Sequence, residues 1–161
     1  MINVIFMDID GVLNSRKSYT ENYFKYFKKG IKKINIDIKN IEMLSKLMRN
    51  KDNNLVFFFP PEWDISQQEE FVECIKSQGI LQNFEFIVNY ENLGKEKVIL
   101  DYMKNYSIEN NHSIKNYAVV TSFSGDYKLF KEVNRIVETD PLSKGFTFRN
   151  YLQTKKILKM N

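Results

Sequence analysis

Two carboxylates stand two residues apart in Asp8-Ile9-Asp10, directly after the apolar run Ile2-Asn3-Val4-Ile5-Phe6-Met7 and directly before Gly11. The run predicts a buried strand, and side chains alternate along a strand, so Asp8 and Asp10 can face one side where the chain leaves the sheet. Acids that close repel unless a shared proton or a cation relieves them, and a hard divalent ion such as Mg2+ is a natural partner. Gly11 permits a tight turn with close backbone approach to a ligand. In open α/β sheets, ligands bind at the carboxyl ends of the strands. The same Asp-x-Asp-Gly string also suits an Asx turn with no ligand.

The string Phe6-Met7-Asp8-Ile9-Asp10-Gly11-Val12-Leu13-Asn14-Ser15 resembles the first motif of the haloacid dehalogenase (HAD) superfamily, close to the small HAD domains associated with RNA-repair proteins. The resemblance implies that Asp8 attacks phosphorus to form an aspartyl-phosphate and that Asp10 acts as general acid and base. Such a role is chemically sound, because a carboxylate is a competent covalent nucleophile and a metal ion offsets the charge of two neighbouring anions. It further implies Mg2+ as cofactor, held by Asp8, Asp10 and Asp126, and substrate contacts from Gly11, Asn14, Trp63 and Ser122.

The other family motifs are matched unevenly. Where the family ends its second strand in Ser or Thr, this chain has Phe59-Pro60-Pro61-Glu62-Trp63, so Trp63 is kept while the hydroxyl is replaced by proline, which offers neither a hydroxyl nor an N–H. The motif lysine falls on Lys95 in Gly94-Lys95-Glu96-Lys97, with Lys97 as the alternative; either also suits a solvated helix start. After the fourth strand the family places two acids, and Val120-Thr121-Ser122-Phe123-Ser124-Gly125-Asp126 puts Ser122 in the first place and Asp126 in the second. Asp126 suits a helix N-cap equally well. Thr139-Asp140-Pro141 and Gly145-Phe146-Thr147 extend the likeness toward the C-terminus.

The elements that must position these residues follow from periodicity. Asp37 to Arg49 carries Ile38, Ile41, Leu44, Leu47 and Met48 at helical spacing behind an Asp37 cap. Leu55 to Phe59 reads as a second buried strand, stopped by two prolines. Ser66-Gln67-Gln68-Glu69 has the form of a capping box for a helix ending near Gly79. Further strands are expected at Phe84 to Val88, Tyr117 to Val120 and Ile136-Val137, with helices at Gly94 to Tyr106, Asp126 to Val133 and Thr147 to Lys159. Strands alternating with helices predict an α/β fold with a Rossmann-like parallel sheet. The resemblance makes this a HAD-like core, one domain over 1–161, with residues 14–37 as a small flap or cap.

Composition bounds the partners. The chain has 161 residues, 43% of them hydrophobic, which is enough for one real core. Cys74 is the only cysteine, so no internal disulfide can form, and no N-terminal signal or membrane-spanning run is evident; a cytoplasmic location is expected. The net charge of +4 favours an anionic partner. Between Leu13 and Asp37, Tyr19, Tyr23, Phe24, Lys25, Tyr26, Phe27, Lys28, Lys29, Lys32 and Lys33 interleave aromatic and basic groups, which suits nucleotide or nucleic-acid contact as well as an ordinary amphipathic element. His112, the only histidine, is expected at the surface. No phosphate-binding glycine loop or dinucleotide fingerprint occurs, and zinc or thiol catalysis has too few ligands. The expectation is therefore a Mg2+-dependent phosphohydrolase acting on a phosphomonoester or nucleotide, with a binding protein for a phosphorylated ligand as the alternative.

Overall fold

The structure is a computed structural model and describes residues 1–25, 34–81, 83–88, 90, 93–110, 113–127, 130 and 132–160. Five strands, β1 (Ile2–Asp8), β2 (Asn53–Phe58), β3 (Phe84–Ile87), β4 (Ile114–Thr121) and β5 (Ile136–Glu138), form one sheet in the order β3-β2-β1-β4-β5. Every pairing is parallel. Helices α1 (Arg16–Lys25), α2 (Ile38–Met48), α3 (Ile65–Ser77), α4 (Lys95–Asn110) and α5 (Phe148–Ile157) connect or flank them. The expected Rossmann-like α/β fold is thus what the chain forms.

The strand alternation decides which side each residue serves. Ile5 and Met7 of β1 pack with Ile41, Leu44 and Leu47 of α2 and Phe71 and Ile75 of α3. Val4 and Phe6 pack on the other face with Ile99 of α4, Tyr127 and Phe130. Asp8 has the parity of Val4 and Phe6, so its side chain is directed to the α4 face. Both faces of a parallel sheet are covered, which is why β1 and β2 read as almost unbroken apolar runs.

Local signals explain the helix starts. The Asp37 side chain accepts from Lys39 N, as the sequence predicts. For α3 the capping box is two residues earlier than expected: Asp64 accepts from Gln67 N, and Gln67 Oε1 accepts from Asp64 N, so Ser66 and Glu69 lie inside the helix. Asp is as good a cap as Ser, and Gln at the third position completes the pair. Among the described residues the expected helix from Asp126 to Val133 is not continuous: two short 3-10 turns stand at Ser124–Tyr127 and Val133–Arg135, with Phe130 and Glu132 non-helical. The segment expected as a flap begins with α1, while its Tyr/Lys-rich residues 26–33 and also His112 lie outside the described residues. No described helix is long and apolar enough to cross a membrane.

Candidate active site

Strand order reverses between β1 and β4, and such a switch point leaves a crevice at the carboxyl ends of the two strands. Asp8 ends β1 there, only 4% exposed. Met7 pairs with Val120, so the next residues, Asp8 and Thr121, come side by side. Thr121 Oγ1 donates to Asp8 Oδ2 at 2.7 Å, and Lys95 Nζ lies 2.9 Å from Asp8 Oδ1. Lys95 opens α4 after Gly94, whose positive φ of 76° turns the chain into the helix. Its ammonium also stands over the rings of Phe58 and Tyr90, at 5.8 and 5.5 Å from their centroids. Lys95, not the exposed Lys97, is the lysine the fold brings to Asp8.

Asp10 sits on the turn beyond the strand and is held differently. Asn14 Nδ2 donates to Asp10 Oδ1 at 2.7 Å, while Gly11 N donates to Asn14 Oδ1 at 2.6 Å. Asn14 therefore ties both ends of its amide into the motif turn rather than standing free for a substrate. Burial raises the Asp10 carboxyl above its ordinary range, the Asn14 bond opposes that, the Glu62 charge raises it further, and the Lys95 charge pulls it down. The two carboxylates are thereby given unequal surroundings, Asp8 paired with Lys95 and Asp10 raised above its ordinary value.

The turn is packed too tightly for any residue but glycine at 11. Gly11 has φ +74°, and a Cβ there would lie 2.6 Å from Ser122 Oγ and 2.9 Å from Pro141 Cβ, and closer still to Ser122 Cβ. Ser122 Oγ donates to the Asp10 carbonyl at 3.1 Å. Thr139 Oγ1 donates to the Gly11 carbonyl at 2.8 Å, and Phe146 N donates to the Val12 carbonyl at 2.7 Å. The stretch from Thr139 to Phe146 thus straps the motif turn from outside.

Trp63 is placed in an aromatic cluster, its ring 5.8 Å from those of both Phe59 and Phe71. The described contacts of its ring are packing contacts. The Asp126 side chain lies outside the described residues. Sequence reasoning missed Thr121, Thr139 and Glu62; the one available signal was the parity of Thr121 with Asp8 at neighbouring strand ends.

Mg2+ demands oxygen ligands in near-octahedral array and gives up its waters reluctantly. The oxygens it would use here already receive hydrogens: Asp8 from Lys95 and Thr121, the Asp10 carbonyl from Ser122 and the Asp10 carboxyl from Asn14. Among the described residues no group of three Asp, Glu, His or Cys side chains is placed to hold a metal. Among the described residues, Lys95 and Thr121 are partners of Asp8 and Asn14 is a partner of Asp10, and no third acid joins the two.

Fold and site together define a Rossmann-like α/β protein with an ion-paired carboxylate at its topological switch point. An uncharacterised protein of Plasmodium falciparum is 29% identical over 123 residues, covering 71% of this chain. The chain spans only 13% of that relative's length. No protein-family model matches the chain, and no solved structure matches it.

Proposed function

We propose that this protein is a cytoplasmic HAD-like phosphohydrolase whose substrate is a phosphomonoester or nucleotide bound in the crevice between β1 and β4. Asp8 attacks phosphorus; the bond from phosphorus to the leaving oxygen breaks as Asp10 gives that oxygen its proton. Asp10, now ionised, takes a proton from water, which attacks the phosphorus of the aspartyl-phosphate and releases inorganic phosphate with Asp8 restored. Lys95 offsets the charge on Asp8 and on the incoming phosphoryl oxygens. The observation that carries this reading is the inequality of the pair: Asp8 held by Lys95 and Thr121, and Asp10 raised by burial and Glu62.

The test is phosphate release from a panel of phosphomonoesters and nucleotides, with and without Mg2+, run beside Asp8→Asn. Turnover that disappears in the variant supports the reading; equal turnover in both proteins rejects Asp8 as nucleophile. A second reading, binding of a phosphorylated ligand without hydrolysis, is favoured by Pro60 at the end of β2 and by the commitment of Ser122 to the Asp10 carbonyl. Thermal stabilisation by a phosphorylated ligand with no phosphate release would select it.

A further inference from the structure

The two edges of the sheet are finished differently. At β5, Thr139 N bonds back to the Thr121 carbonyl, so the peptide groups of Glu138 face away from β4, and Asn150 Nδ2 closes that edge by donating to the Glu138 carbonyl at 3.0 Å. At β3, the Asn83 and Ile87 carbonyls accept from Leu55 N and Phe59 N on the β2 side. Alternation then turns the N–H and C=O groups of Phe84, Phe86 and Val88 away from the sheet, and none of them has a hydrogen bond among the described residues. Natural edges are blunted by lysine, proline or a bulge, or are covered. Phe84-Glu85-Phe86-Ile87 has neither Lys nor Pro, pairs with β2 in unbroken register, and turns its one charge, Glu85, to Asn54 and Tyr102.

The groove beside this edge indicates what would occupy it. It has a volume of about 420 Å3 between β3 and α3, and is lined by the half-buried Phe86 and Val72 and by Ile65, which is 73% exposed. Val88, 49% exposed, has the parity of Phe86 and continues the apolar strip on the same face. Glu69 and Glu73 rim the groove beside a single cation, Lys76, and neither acid makes an ion pair among the described residues. Two unpaired acids against one lysine, in a chain of net charge +4, make this a locally acidic place that favours a cationic partner. A second copy fits less well, because a two-fold contact here would bring the same acids face to face.

We propose that this edge docks a basic, extended segment of a partner protein as a sixth strand, its backbone bonded to Phe84, Phe86 and Val88. On the α3 face an apolar side chain would rest on Phe86 and Val72. Arginines two residues to either side would lay their stems along the groove and reach Glu69 and Glu73 with their heads. The backbone bonds supply affinity, and the groove selects the side chains. The open stretch from Phe84 to Val88 limits the docked segment to about five to seven residues. The docking edge does not depend on the phosphohydrolase reading, since β2 stands between β3 and the strand that carries Asp8.

Fluorescence anisotropy of a labelled peptide, Thr-Arg-Thr-Val-Thr-Arg-Thr, titrated with the full chain, tests the assignment. Saturable binding with Kd below about 1 mM is expected, and Glu69→Lys with Glu73→Lys should weaken it about tenfold or more. Glu42→Lys with Asp101→Lys changes net charge equally on exposed helix positions elsewhere and should weaken it less than about threefold. Methylating the peptide nitrogens of Arg and Val, or those of the Thr residues instead, should abolish binding in one case and spare it in the other, because only alternate N–H groups of an added strand face β3. No saturation up to about 1 mM, equal weakening by both charge pairs, or equal effects of the two methylation patterns would overturn the docking edge. A concentration-dependent dimer of the chain alone that is lost in Val88→Pro would overturn the partner peptide in favour of a second copy.

Discussion

Thr121 and Asp8, 113 positions apart in the chain, meet side by side across β4 and β1, and the Thr121 hydroxyl donates to Asp8 Oδ2 at 2.7 Å. With Lys95 on the other oxygen, the carboxylate is held at both ends. A carboxylate so fixed loses little rotamer freedom when a ligand approaches, which is what positioning for attack requires. Thr121→Val keeps the shape and removes the donor. It should lower stability by roughly 1.5–3 kcal/mol, the range for a hydrogen bond to a charged group, as read by urea unfolding.

Lys95→Met removes the ammonium paired with the buried Asp8 carboxylate. Because Lys95 is 19% exposed, we expect a loss of about 2–3 kcal/mol, below the roughly 3–5 of a fully buried pair. Adding Asp8→Asn to Lys95→Met should recover part of that loss. A double-mutant cycle in urea measures the coupling, and additive losses would show that the 2.9 Å pair contributes nothing.

Gly11→Ala should destabilise by roughly 2–4 kcal/mol, combining left-handed backbone strain with overpacking against Ser122 and Pro141. Ser122→Gly in the same chain clears the nearest atoms but leaves Pro141 Cβ at 2.9 Å, so it should return most of the packing part and none of the strain. Unfolding midpoints of the single and double variants separate the two.

The Asp10 carboxyl is raised, mainly by burial and then by Glu62. A raised folded-state value means that its contribution to stability is full below the ordinary value of 3.8 and is lost as pH rises through the folded value. Asp10→Asn should therefore be more stable than the natural chain at neutral pH, with the gain vanishing below about pH 4, as followed by melting temperature across pH. Glu62→Gln removes a nearby negative charge, so the folded value falls. If Asp10 is the acid, the alkaline limb of kcat against pH should move to lower pH in Glu62→Gln.

Ser122→Asp replaces a hydroxyl that donates to the Asp10 carbonyl with a carboxylate that cannot. In metal-free buffer the melting temperature should fall, equivalent to about 1–3 kcal/mol for the unsatisfied carbonyl and the apposed charge. Mg2+ should restore the variant in a concentration-dependent way while leaving the natural chain unmoved. A Mg2+ shift in the natural chain as large as in the variant would show that Ser122 does not stand in for a metal-bound acid.

Much of this fold is legible because a parallel sheet buries both faces: β1, β2 and β4 announce themselves as apolar runs, and Asp37 announces α2. Asp8 and Lys95 are legible as a pair only through motif order, since nothing local in either sequence segment points at the other. Thr121 and Thr139 escape notice because a hydroxyl's role depends on its partner, Asp8 or the Gly11 carbonyl, more than a hundred residues away. Asn14 is ambiguous for the opposite reason, its partners Asp10 and Gly11 being so close that a contact to substrate and a clamp on the turn look alike in sequence. The α3 cap shifts from Ser66 to Asp64 because two overlapping capping boxes compete and the earlier one completes both bonds.

The strap from Thr139 to Phe146 closes on Gly11 and Val12 from the far end of the chain. On a ribosome, the strand that ends in Asp8 emerges more than a hundred codons before its hydroxyl partner Thr121 and its strap, and so is finished long after it appears. Until then Asp8 has neither Thr121 nor an enclosed turn around it. Completion of the crevice reports completion of the polypeptide through residue 146, and a nascent chain halted earlier has an acid at the end of a strand but no site.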